Sequence, residues 1–152
     1  MTEALENALK ALQAYEWGTD PAPLEPIDKV VFASQPGTQK ELEAGLAAVL
    51  KTGAPRAAKD FVCRKLALIG SAQSLSALSA LLPDKELSHM ARYALEAIGT
   101  AEAEKAMRDS LPKVEDKTKI GVIHSLGVKR DARSTSQLVA LLRATLPDVA
   151  AA

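Results

Sequence analysis

One thiol and two imidazoles, Cys63, His89 and His124, are the side chains of this 152-residue chain best suited to act as nucleophile, base or soft metal ligand near neutral pH. Their spacing gives them little to do together. A catalytic cysteine needs a base within hydrogen-bonding reach, and no histidine stands beside Cys63 in the sequence. The two histidines lie 35 residues apart (124 − 89), which is not a zinc-site spacing. No glycine-rich phosphate loop, Ser–His–Asp arrangement or paired-carboxylate motif is present. The sequence therefore predicts no catalysis, no metal and no cofactor. Any chemistry it offers is that of a binding surface.

Which residues share a surface depends on the elements that hold them. The chain has 28 Ala and 21 Leu against five aromatic residues. Ala and Leu are strong helix formers, whereas strands would favour Val, Ile, Thr and aromatics. That composition predicts an all-α protein. A single cysteine excludes an internal disulfide. No apolar run approaches the length of a membrane span, and the acidic start MTEALENALKALQAYEW is not a signal peptide. The chain reads as soluble, with its compartment open.

Three glycines set the organisation. Gly70, Gly99 and Gly127 are spaced by 29 and 28 residues, and before them stand Leu66-x-x-Ile69, Leu95-x-x-Ile98 and Ile123-x-x-Leu126. Apolar residues at i, i+3, i+4 and i+7 bury one stripe of a helix, a glycine in the left-handed conformation ends it, and the chain turns into the next. Pro83 and Pro112, each 13 residues beyond its glycine, close the following helix. Such a hairpin cannot bury its stripe alone and must stack on its neighbours. The predicted fold is an α/α solenoid, a superhelix of stacked antiparallel helix pairs: 38–51 with 55–69, 73–82 with 86–98, 102–111 with 115–126, then a first helix at 134–144. Repeats fall at 37–70, 71–99, 100–127 and 128–152. The last is incomplete, with Pro147 and Asp148 resembling the start of a second helix. The third copy carries about three extra residues in VKRDARSTSQ. Residues 1–36, with six acids and two bases, read as an N-terminal helical cap holding a helix near 2–16, a helix in IDKVVFAS, and Trp17 plugging its end.

Counting back from each glycine gives columns expected to be neighbours. Arg64, Tyr93 and Gly121 stand six before it; Ala67, Glu96 and His124 stand three before. Positions three apart share a helix face, so Arg64, Tyr93, Glu96 and His124 are expected to form one polar patch on the concave side, extended by His89. Asp60 takes the position of His89 one repeat earlier. Tyr and Arg are favoured interface anchors, although the same residues would equally make a solvated helix face. Cys63 shares a column with Arg92 and Ile120 and reads as a small hydrophobe.

The segments VCRKLALIGSAQSLSALSALLPD and MARYALEAIGTAEAEKAM resemble HEAT-like repeats of the short-helix type first described in phycobiliprotein lyases, and are similar to HEAT segments of large bacterial proteins. The resemblance spans about residues 38–146. It implies a non-catalytic scaffold that binds a protein or peptide partner, as a segment of a larger protein. Two rivals stand beside it. Residues 105–133 hold eight Lys or Arg and four acids, which would suit nucleic acid, yet the whole chain balances 19 bases with 19 acids and lacks the surplus a polyanion binder needs. An accessory subunit or lyase-like enzyme would predict a reactive Cys63 or a bound small molecule. The unfinished repeat at the C-terminal end would also favour self-association.

Overall fold

The computed structural model describes residues 1–33 and 35–143. Among these it has nine α-helices and no strand: α1 (Glu3–Leu12), α2 (Glu25–Phe32), α3 (Pro36–Leu50), α4 (Arg56–Ile69), α5 (Leu75–Ser79), α6 (Ser88–Ile98), α7 (Ala101–Ser110), α8 (Asp116–Val128) and α9 (Thr135–Leu142). Helix starts follow backbone chemistry. Thr2 and Thr100 accept hydrogen bonds from the Leu5 and Ala103 amides, satisfying donors that a helix start leaves free. Asp84 accepts from the Glu86 and Leu87 amides just before α6. Pro36 sits in the first turn of α3, where its missing N–H costs nothing.

Chain neighbours pack as pairs: α1 on α2, α3 on α4, α5 on α6 and α7 on α8. Each helix from α1 to α6 also touches the next but one. The helices α1, α3, α5 and α7 thus form one row, and α2, α4, α6 and α8 another. Small side chains make the second row close. Ala57 and Ala58 of α4 and Ala91 and Ala94 of α6 are fully buried, and α4–α6 is the most extensive helix contact. Leu46, Leu66, Leu78, Leu95, Met107 and Leu126 run through the shared core. At about 25 cal/mol per Å² of apolar surface, each such leucine contributes about 2 kcal/mol on burial.

The predicted pairs sit where expected with two changes of length. The segment 73–82 forms only a five-residue helix, Leu75–Ser79, bracketed by turns, and 102–111 ends in a 3-10 turn over Leu111–Lys113. The N-terminal helices α1 and α2 contact α3 and α4 in the manner of the later pairs. Trp17 does not plug that end. It is exposed, with the Arg56 guanidinium 5.5 Å from its ring centre. The predicted second-helix start at Pro147 and Asp148 lies outside the described residues.

The three glycines do not share one job. Only Gly99 is left-handed, with φ 62°. Gly70 is extended, φ −66° and ψ 147°, and its glycine is needed for space, since a Cβ would lie 2.8 Å from Ile98 Cδ1 of α6. Gly127 lies inside α8. That helix ends one residue later at Val128, with Lys129 as its cap, and Arg130 beyond it takes the left-handed conformation at φ 52°. The Asp131 amide donates to Leu126 O and the Arg130 amide to Gly127 O, the hydrogen-bond pattern of a Schellman stop. The third copy therefore carries its helix and cap past Gly127 and stops at Arg130, three residues later than the glycine spacing predicts.

Candidate binding groove

The later stop resets the columns. Gly99 aligns with Arg130, not Gly127, and burial agrees: Ala91, Ala94 and Leu95 of α6 match Val122, Ser125 and Leu126 of α8. His124 then stands in register with Tyr93 and Arg64, instead of with Glu96. One turn further along, Leu68, Ala97 and Val128 share a second column, and all three are exposed.

His89, Arg92, Tyr93 and Glu96 of α6 and His124 of α8 line an open groove of about 170 Å³. Four of the five residues singled out in the sequence thus lie together. The fifth, Arg64, is not among the lining residues. It sits on α4 with its guanidinium paired to Asp60 one turn back, at 2.6 Å.

Arg92 builds the groove floor, and sequence reasoning did not single it out. Its Nη1 donates to Gly121 O at 2.9 Å and to Ser125 Oγ at 3.1 Å, tying α6 to α8. Ser125 Oγ in turn donates to Gly121 O. The guanidinium lies where a side chain at position 121 would go, because a Cβ there would be 2.4 Å from Nη2. Partial burial draws the Arg92 pKa down, and nearby Glu96 opposes this. The available signal was a glycine in mid-helix, 29 residues after an arginine (121 − 92). Lys129 closes the far end by donating to Glu96 O at 3.2 Å, which satisfies a carbonyl at the end of α6.

The groove offers a phenol, two imidazoles and a carboxylate over a fixed guanidinium. These can donate and accept hydrogen bonds to a ligand, but they hold no nucleophile with its base. No group of three His, Cys, Asp or Glu among the described residues is placed to hold a metal ion. Cys63 is fully buried on α4, and that burial, with Asp60 nearby as a smaller cause, pushes its thiol up to about 12. A thiol so protected is not a nucleophile at neutral pH. Maleimide should leave native Cys63 unmodified and label it only after unfolding. The same shift predicts a pH effect. The folded chain holds the proton that an unfolded thiol releases near pH 9, so its stabilising contribution is full below that value and declines as pH rises toward 12. Unfolding measured across this window should show a shallower fall for Cys63→Ala than for the parent; equal slopes would contradict the burial argument.

No family model, curated protein or solved structure matches this chain.

Proposed function

We propose that the chain is an α/α solenoid of HEAT-like repeats and serves as a non-catalytic scaffold that binds another protein through its second-helix row. The observation that carries this reading is the packing of each helix from α1 to α6 on the next but one, with Arg64 and Leu68 of α4, Tyr93 and Ala97 of α6, and His124 and Val128 of α8 exposed along the second row. Preformed rows favour recognition because few groups must be ordered on binding. Tyr93, about half exposed at the rim of the groove, is the natural anchor.

Nucleic acid is the weaker reading. The basic stretch 105–133 spends several of its charges internally: Lys105 on Asp109, Arg108 on Asp131 and Lys129 on the Glu96 carbonyl. A photo-cross-linking residue placed at position 93 should trap a protein partner, while one at exposed Ser76 of α5 in the other row should not. Tyr93→Ala should then weaken that partner about tenfold, or 1.4 kcal/mol, with an unchanged melting temperature. Cross-links arising equally from both positions would remove the second-row assignment, and a fall in melting temperature would make Tyr93 structural.

A further inference from the structure

Two successive junctions of the second row are built differently. Helices α4 and α6 meet through small side chains, and fully buried Cys63 holds the column that Arg92 takes one repeat later. Between α6 and α8 the seam is polar. Among the described residues, every side-chain hydrogen bond across it runs from a cation to an uncharged oxygen: Arg92 Nη1 to Gly121 O at 2.9 Å and Ser125 Oγ at 3.1 Å, and Lys129 Nζ to Glu96 O at 3.2 Å. Arg92 Nε is buried with no partner, and so is Ser88 Oγ, one turn back on the same stripe of α6. Buried polar groups are normally paired, so two orphans on one stripe need a physical reason. If the helices part, water can take over each of the three hydrogen bonds and reach both unpaired atoms. Parting α4 from α6 exposes apolar surface and has no such compensation.

From this seam we infer that the α6–α8 junction is a joint, at which the α7–α8 pair swings away from the six helices before it. The moving unit holds together, because the Arg108–Asp131 ion pair ties α7 to the turn after α8. Its pivot lies on the other row. There α7 packs on α5, Ala103 and Met107 of α7 are fully buried, and the link from α6 is only Gly99 and Thr100, with Gly99 left-handed. Rotation about that side parts α8 from α6 while the buried face of α7 stays covered. The groove changes width with the motion, since His89, Tyr93 and Glu96 ride on α6 and His124 on α8. A ligand touching both walls selects one width, but the joint itself does not depend on the scaffold reading.

Paired nitroxide labels on the intact chain, read by dipolar broadening, test this. Leu68, Ala97, Glu102 and Val128 are all exposed and accept labels. The pair 97/128, across the joint, should show a close and a distant population. The pairs 68/97, across α4–α6, and 102/128, within the moving unit, should each show one. Gly121→Ala places a Cβ 2.4 Å from Arg92 Nη2 and must displace the guanidinium, so it should enlarge the distant population at 97/128 alone. Ser88→Ala removes an unpaired hydroxyl from the closed seam and should shrink that population. Because this second change is conservative and opposite in sign, the test survives if Gly121→Ala fails to fold. One close population at 97/128 in the parent and in Ser88→Ala would overturn the joint. Equal splitting at 68/97 would mean that the whole row loosens, and splitting at 102/128 that α8 detaches by itself; either would overturn it too.

Discussion

Asp131→Ala is expected to lower the unfolding free energy by about 3–5 kcal/mol, because it strands a buried guanidinium. The Asp131 carboxylate lies 2.6 Å from Arg108 Nη1, and the two side chains are only 2% and 11% exposed. Arg108 projects from α7, and Asp131 follows the left-handed residue beyond α8, so the ion pair fastens the α7–α8 pair to the turn leading into α9. Arg108→Ala should cost a similar amount by baring the carboxylate instead. The double variant Arg108→Met with Asp131→Leu should recover most of the loss, since desolvating both ions consumes nearly all that their attraction returns. Denaturant titration of all four proteins gives the coupling energy. Single losses under about 1 kcal/mol, the range of a solvated pair, would show that water reaches the site.

That ion pair also shows where the sequence stopped being legible. Helix content, the pairing of helices and the core leucines follow from Ala and Leu abundance and from apolar periodicity, which act locally and leave their mark in any short window. Register in the third copy does not. Gly127 resembles a helix stop because glycine usually supplies the left-handed residue, yet α8 runs past it to Val128 and Arg130 takes the left-handed position. The choice is made by tertiary contacts: Asp131 must reach Arg108 of α7, and Lys129 must reach the Glu96 carbonyl of α6. Neither contact is local, and neither can be seen in the spacing of glycines.

The candidate groove was legible for a related reason and incomplete for another. His89, Tyr93 and Glu96 lie on one turn-spaced face of a single helix, so their proximity required only that α6 be helical. His124 joined them through the repeat, by an alignment displaced by three residues. One turn of helix is 3.6 residues, so the error changed its column while keeping it on the same face. Arg92 was missed because its column partners, Cys63 and Ile120, are apolar. Its polar head reaches α8 only through the gap at Gly121, and a missing side chain leaves no positive signal in a pattern of present ones.

Glycine substitutions measure this directly, and their expected effects have opposite signs. A Cβ at Gly70 would lie 2.3 Å from the Leu66 carbonyl oxygen and 2.8 Å from Ile98 Cδ1. The backbone there is open to any residue, so crowding alone sets the penalty. An oxygen fixed at the end of α4 cannot rotate away as a side chain can. Gly70→Ala should therefore fall at the upper end of the about 1–3 kcal/mol typical of overpacking. Gly99→Ala should lose about 1 kcal/mol, through its left-handed φ of 62°. Gly127→Ala should gain about 0.5–1 kcal/mol, since the residue is inside α8 with nothing within 4 Å of the added carbon. At this chain length 1 kcal/mol moves the melting temperature by about 2–4 °C, so all three are measurable by thermal unfolding. If Gly127→Ala instead destabilises as Gly99→Ala does, α8 ends at its glycine, and the register that places His124 beside Tyr93 is lost with it.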